Sequence, residues 1–340
     1  MIKKYFNNYI DEVYQDNLFF QKFHHIKPSE TLHQFEEIQY DELCEEWKIE
    51  YKKQLLSINS SLDNFKQLVN VIRKKKVVPF IGSGLSASSG YETWTNFLIT
   101  LANEANELEA VEQLLNDNLY EEASEYLMEK LGKENFNSKV DLKFGSPVGK
   151  IQGMINDIPK ATNGTIITTN FDKLVETVFQ NNGIRLDIIH GNEDKEFHRG
   201  FVSGDNYLLK LHGSINDTKS RVFTKTEYEE AYLLDGKIDF NKPLPENLSK
   251  IYLNSTLLFL GCSLENDRTL QLFKKVKEQY EERKIPRHFT IISAPKTKEK
   301  LVEREKFLTE HMIFPIWYPY QEYDKLNEIF ELLLYEIENE

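Results

Sequence analysis

Short apolar runs recur along the chain: Val77–Ile81, Thr165–Thr169, Leu186–Ile189, Tyr207–Leu211, Thr256–Leu260 and Phe289–Ser293. Each is too short for a buried helix, and several lack polar alternation. Strands covered on both faces have this pattern. Between them the apolar spacing turns helical, as in "FDKLVETVFQNNG", where Gly183 is a stop, and in "NDRTLQLFKKVKEQYEERK". Strands alternating with helices predict an α/β fold on a doubly wound parallel sheet. Ligands of such sheets lie at the carboxyl ends of the strands, so the residues that follow each run carry the functional information.

The pattern also divides the chain. Residues 1–60 are polar, acidic and rich in aromatics, and predict a helical N-terminal extension. Leu62, Phe65, Leu68, Val69 and Ile72 recur at helical spacing and lead into the basic run Arg73–Lys76. That run either complements the negative end of the helix dipole or meets an anionic partner. The main domain is expected over 61–295, with a helical insertion at about 95–164 lying over the site. Residues 296–340 are expected to form a strand and an amphipathic helix that pack on the core or on a partner subunit.

Composition narrows the class. The 340 residues are 40% hydrophobic and 29% charged, ordinary for a soluble globular protein. The formal net charge of −13 argues against an extended nucleic-acid surface. The two cysteines, Cys44 and Cys262, form no CxxC pair, which disfavours a zinc ribbon or a disulfide framework and points to a reducing cytoplasm. No run approaches the roughly 20 apolar residues of a spanning helix, so no direct membrane contact is expected. His24, His25 and His33 cluster near the N-terminus, but their spacing matches no standard zinc pattern, and no metal is expected.

After the first run comes "GSGLSASSG". Gly82, Gly84 and Ala87 fit G-x-G-x-x-[G/A], a loop whose bare backbone approaches a pyrophosphate at a helix start. A tight strand-to-helix turn with no ligand has the same composition. The loop is no Walker A motif, and the region about 20 residues on reads as helix rather than as a strand ending in an acid. Ser83, Ser86, Ser88 and Ser89 add hydroxyls able to bind phosphate or ribose oxygens.

Other runs also end in small or polar residues: Asn170-Phe171-Asp172, His212-Gly213-Ser214 and Gly261-Cys262-Ser263-Leu264. Taken singly, Asn170 or Asp172 caps a helix, His212 is a satisfied core histidine and "GCSL" is a turn. Their joint placement at carboxyl ends points to one ligand site.

"GSGLSASSG", "TTNFD", "KLHGSI" and "LLFLGCSL", in this order, resemble the sirtuin superfamily, and specifically the bacterial sirtuin-like domains of anti-phage defence, over about residues 70–295. "VFTKTEYEEAY" resembles their Thr-x-x-x-Tyr stretch. The resemblance implies a Rossmann-like sheet that takes NAD as substrate, with no metal. It places Gly82, Ser83, Gly84 and Ser86 toward the phosphates, and Thr169, Asn170 and Asp172 by the nicotinamide ribose and carboxamide. His212 becomes the catalytic histidine, and Gly261 and Ser263 lie on the adenosine side. Trp94 packs near the nicotinamide pocket or in the core. His190, in "DIIHG", lacks the following serine, comes early in the motif order and is read as a decoy.

Deacylases of the superfamily carry a four-cysteine zinc module between the histidine and "GxS" motifs. Here no cysteine lies between His212 and Gly261, which weighs against deacylation. The expected activity is therefore NAD+ hydrolysis to nicotinamide and ADP-ribose in a defence effector. A homo-oligomer and an operon-encoded ATPase or Argonaute-like partner are implied with it. A non-catalytic NAD or ADP-ribose sensor and a protein ADP-ribosyl transferase are the competing readings.

Overall fold

The computed structural model describes residues 2–16, 27–35, 37–146, 149–162, 164–192, 206–215, 217–265, 268–280 and 284–339. His24 and His25 lie outside them. The chain opens with helices α1 (Lys3–Tyr14), α2 (Pro28–Phe35), α3 (Glu37–Leu55) and α4 (Ser61–Arg73), then enters strand β1 (Val77–Ile81). A short helix α5 (Ser83–Ala87) follows, then α6 (Trp94–Glu104), α7 (Leu108–Asn116), α8 (Tyr120–Leu131), α9 (Lys133–Gly145) and a 3-10 helix at Met154–Lys160. Next come β2 (Ile166–Thr168), α10 (Leu174–Asn181), β3 (Asp187–His190) and β4 (Tyr207–Lys210). α11 (Lys225–Tyr232) leads through the small hairpin of β5 (Leu233–Leu234) and β6 (Lys237–Ile238) to α12 (Pro243–Asn254) and β7 (Thr256–Leu260). The chain closes with α13 (Arg268–Gln279), β8 (His288–Ser293), α14 (Lys298–Glu310), β9 (Ile313–Tyr318) and α15 (Asp324–Glu338).

Seven strands form one parallel sheet in the order β3-β4-β2-β1-β7-β8-β9. The chain works outward from β1 through β2, then returns from β4 to β7 on the other side of β1. β1 is thus the topological switch point, and the crevice expected of a Rossmann-like sheet opens at its carboxyl end.

Both faces of the sheet are covered, which explains the unalternated apolar runs. Successive residues point to opposite sides. Ile81, Ile166, Leu208 and Leu258 join the core beneath α4, α6–α10 and α15. Phe80, Ile167, Leu209 and Phe259 join the core beneath α11–α14. A smaller cluster of Phe6, Ile10, Tyr40 and Cys44 holds α1 against α3.

β9 is an edge strand, and this position tolerates its Pro315. Its outer side is bonded by α4: the Trp317 N–H donates to Ser61 Oγ at 2.8 Å, and Asn64 Nδ2 donates to the Pro315 carbonyl at 2.8 Å. Ser61 and Asn64 are both buried, so the bonds are shielded from water. At the far end of α4, Arg73 donates to the Glu336 carbonyl of α15, so at least one residue of the basic run serves packing.

Candidate active site

At the end of β1 the chain turns into α5 through Gly82, and this turn lies directly on the turn that follows β7. The Gly82 N–H donates to the Leu260 carbonyl and the Gly84 N–H to the Gly261 carbonyl, each at 2.9 Å. A Cβ on Gly82 would stand 2.5 Å from Gly261 O, and one on Gly84 would stand 2.9 Å from the same atom. Gly261 has a φ of +67°, and its own Cβ would meet Leu85 N at 2.5 Å. These three glycines are therefore required for two backbones to touch. The amides of Gly82 and Gly84 are engaged within the protein, whereas the Ser83 side chain is partly exposed beside them. Ser263 is exposed, and its carbonyl accepts from Arg304.

One turn deeper, the loops after β1 and β2 join through side chains. Asn170 Nδ2 donates to Ser86 Oγ at 3.0 Å, and all three of Ser86, Asn170 and Asp172 are buried. The Asp172 carboxylate accepts from the Leu174 N–H at 2.9 Å, so it caps the start of α10, as one sequence reading allowed. Burial pushes the Asp172 carboxyl above its ordinary range; the Leu174 N–H, Lys210 and Ser86 hold it back. Thr169 bonds the Ile81 carbonyl through its N–H at 3.3 Å and sits partly exposed next to Asn170.

Trp94 stacks on Phe223 at 5.4 Å and tilts against Phe171 at 5.6 Å. The sequence left it between pocket and core. The structure puts it in an aromatic cluster with Phe97 and Phe144, directly against the central residue of the Asn170-Phe171-Asp172 turn.

His212 follows β4 and is held by α11. Its Nδ1 is 3.1 Å from the Tyr228 hydroxyl and its Nε2 is 3.4 Å from the Tyr232 hydroxyl. Two tyrosines four residues apart share one helix face. Thr224 starts that helix with a capping box: its hydroxyl accepts from the Glu227 N–H, and Glu227 accepts from the Thr224 N–H. The Thr-x-x-x-Tyr stretch thus has a structural meaning, since the threonine sets the helix that delivers Tyr228. His212 is half-buried as a residue, and burial of its ring pushes the pKa down to about 4. It is neutral at pH 7, so it can accept a proton there.

Two features, Lys210 and Tyr232, escaped the sequence reading. Lys210, the last residue of β4, is wholly buried, and its ammonium donates to the carbonyls of Phe171 and Asp172 and to Glu176. The visible signal was a charged residue inside the apolar run "YLLKL". Tyr232 reaches His212 from beyond the recognised Thr-x-x-x-Tyr stretch. His190, read as a decoy, lies in the same row of strand ends, with Nε2 3.2 Å from Ser214 Oγ. A cavity of 790 Å³ opens nearby, bordered by Asn137, Asn192, Lys219, Arg221, Glu227 and Glu230. Gly82, Asn170, Asp172 and His212 do not line it, so the site rests on the switch-point geometry rather than on this cavity. No cluster of three or more metal-ligating side chains occurs among the described residues, and none of their helices is long and apolar enough to cross a membrane.

Among known proteins, residues 164–316 match the family described as SIR2-like domain. The NAD(+) hydrolase ThsA of Bacillus cereus (strain MSX-D12) is 24% identical over 248 residues, 71% of this chain and 48% of that protein. The protein of the same name from Enterococcus faecium is 26% identical over 251 residues, 72% of this chain and 48% of that protein. Defense-associated sirtuin 2 of Bacillus subtilis is 28% identical over 220 residues, 62% of this chain and 20% of that protein. The chain spans about half the length of the ThsA relatives.

Proposed function

We propose that this chain hydrolyses NAD+ to nicotinamide and ADP-ribose; its match to the SIR2-like domain family over residues 164–316 and its likeness to bacterial proteins named NAD(+) hydrolase and defense-associated sirtuin support that reading. The observation that carries the reading is that Ser86 bonds Asn170 and faces Asp172 across the carboxyl ends of β1 and β2, with His212 at the same end of β4, the next strand. NAD would lie across that end of the sheet, its phosphates near the Ser83 side of the glycine turn and near Gly261 and Ser263. Thr169, Asn170 and Asp172 would face the nicotinamide and its ribose.

Cleavage of the C–N bond leaves positive charge on the ribose. A carboxylate at Asp172 opposes that charge, and Asn170 orients a ribose hydroxyl or the attacking water. His212 is neutral; with Nδ1 held by Tyr228, its Nε2, 3.4 Å from the Tyr232 hydroxyl, is the nitrogen that would take a proton from a ribose hydroxyl or the water in place of that contact. The bond that forms is from water oxygen to the ribose carbon; nicotinamide leaves with the electron pair of the broken bond.

The protein would act as a defence effector in the cytoplasm, as a homo-oligomer or beside an ATPase or Argonaute-like partner. Names of two relatives, NAD(+) hydrolase and defense-associated sirtuin, support that direction. Purified protein incubated with NAD+ is expected to release nicotinamide and ADP-ribose in equal amounts, measured by chromatography. NAD+ that binds but is never cleaved, in the protein alone and with its operon partners, would favour a sensor instead.

A further inference from the structure

Lys210 has no place in the proposed chemistry, yet it is 0% exposed at the carboxyl end of β4. Its Nζ lies 2.6 Å from the Asp172 carbonyl, 3.3 Å from the Phe171 carbonyl and 2.9 Å from Glu176 Oε1. An ammonium group has three protons, and three acceptors meet them. Burial of a charge in this manner is costly, and a well-packed apolar side chain of the same size does as well or better for stability. Stability alone therefore gives a poor account of a lysine here.

The geometry gives a better one. Two consecutive carbonyls of the Asn170–Asp172 turn point inward at one atom, and the intervening peptide plane cannot rotate while both bonds hold. That plane sets where the Asp172 side chain leaves the backbone. The neighbouring strand ends are tied to the same turn, because the Leu211 N–H donates to the Thr168 carbonyl and the Ile215 N–H to the Phe171 carbonyl.

We propose that Lys210 is the positioning residue of the candidate site, its buried ammonium fixing from beneath the turn that aims Asn170 and Asp172. This rests on the NAD+-cleaving reading of that site. Lys210 also places a cation beside Asp172, which is otherwise faced by Glu176 from α10 and by the Tyr91 hydroxyl. Loss of that cation raises the Asp172 pKa.

The test compares wild type with Lys210→Met, which keeps the packing but removes donors and charge, and with Lys210→Gln, which keeps donors without charge. NAD+ turnover is followed across pH, and amide hydrogen exchange is followed in the peptide containing residues 166–176. Lys210→Met is expected to lower kcat by about 10²-fold, the cost of a small misplacement of reacting groups. Its KM should move little, and exchange should speed up within 170–174 but not in β7 or β8. Lys210→Gln should recover part of kcat while the acid limb of its pH profile stays shifted to higher pH. Should the Met variant fail to fold, the Gln variant carries the test through that limb. Wild-type kcat, limb and exchange in both variants would overturn the proposal. A wild type that neither binds nor cleaves NAD+ sinks the functional reading instead, and exchange at 170–174 then decides the role of Lys210 alone.

Discussion

His212 takes its chemistry from its surroundings more than from its identity. An exposed histidine is half-protonated near pH 6.5; this one is pushed down to about 4. In the proposed mechanism it stays unprotonated far into acid, so the lower limit of activity should not be set by an ordinary histidine titration near 6.5. His212→Ala is expected to lower kcat by about 10²–10⁴-fold, the usual worth of a positioned acid–base group, with NAD+ binding largely kept. Turnover equal to wild type would remove His212 from the mechanism. The residue types at this site were legible in the chain, but their environment was not. A histidine before Gly-Ser marks a strand end, whereas the tyrosines that hold it arrive from a helix 16 and 20 residues further on. Lys210 was hidden for the same reason: its acceptors belong to a turn 38 residues earlier.

Among the elements, α11 does most to determine the site after the strands themselves. Its capping box fixes where the helix begins, and the two tyrosines follow at helical spacing. Thr224→Ala removes the bond to the Glu227 N–H and should cost about 1 kcal/mol of stability, measurable by urea unfolding. Because Tyr228 and Tyr232 ride on the same helix, NAD+ turnover should fall as well, by less than in His212→Ala. Unchanged stability and turnover would separate the cap from the site. The inner runs β1, β2, β7 and β8 were readable as strands because both faces of the sheet are covered there, so their apolar residues run on without alternation. β9 was placed only as a strand somewhere within 296–340; its pairing with β8 along all six residues makes it one, and its edge position accommodates Pro315. The glycine turn was legible as a place of close approach. That the approaching partner is the turn after β7 could not be read locally, since Gly261 lies 177 residues from Gly84.

For the whole molecule, buried histidines set how folding responds to acid. His288 accepts from the Leu257 N–H deep in the sheet and is pushed down to about 3, while His212 is pushed down to about 4. Both titrate near 6.5 once unfolded. Between those limits the unfolded chain binds more protons than the folded one, so stability is full above pH 6.5 and is lost as pH falls toward 4. Each such histidine contributes up to about 1.4 kcal/mol per pH unit in that window. Asp172, raised by burial, works in the opposite direction, so the histidine effect is isolated by comparing wild type with His288→Asn between pH 6.5 and 5. A melting temperature that is level over that interval, or a slope unchanged in His288→Asn, would contradict this account.

The side-chain bonds from Ser61 and Asn64 to β9 have a geometric consequence for assembly. They occupy the backbone groups to which a further strand would add, so the sheet cannot be extended from that side. At the opposite margin β3 is short and partly exposed, with Ile188 47% exposed. Copies that associate by extending the seven-stranded sheet must therefore both use β3. One surface meeting itself closes as a two-fold pair. A sheet with one blocked margin has no second end from which to continue, and so it cannot propagate into a filament.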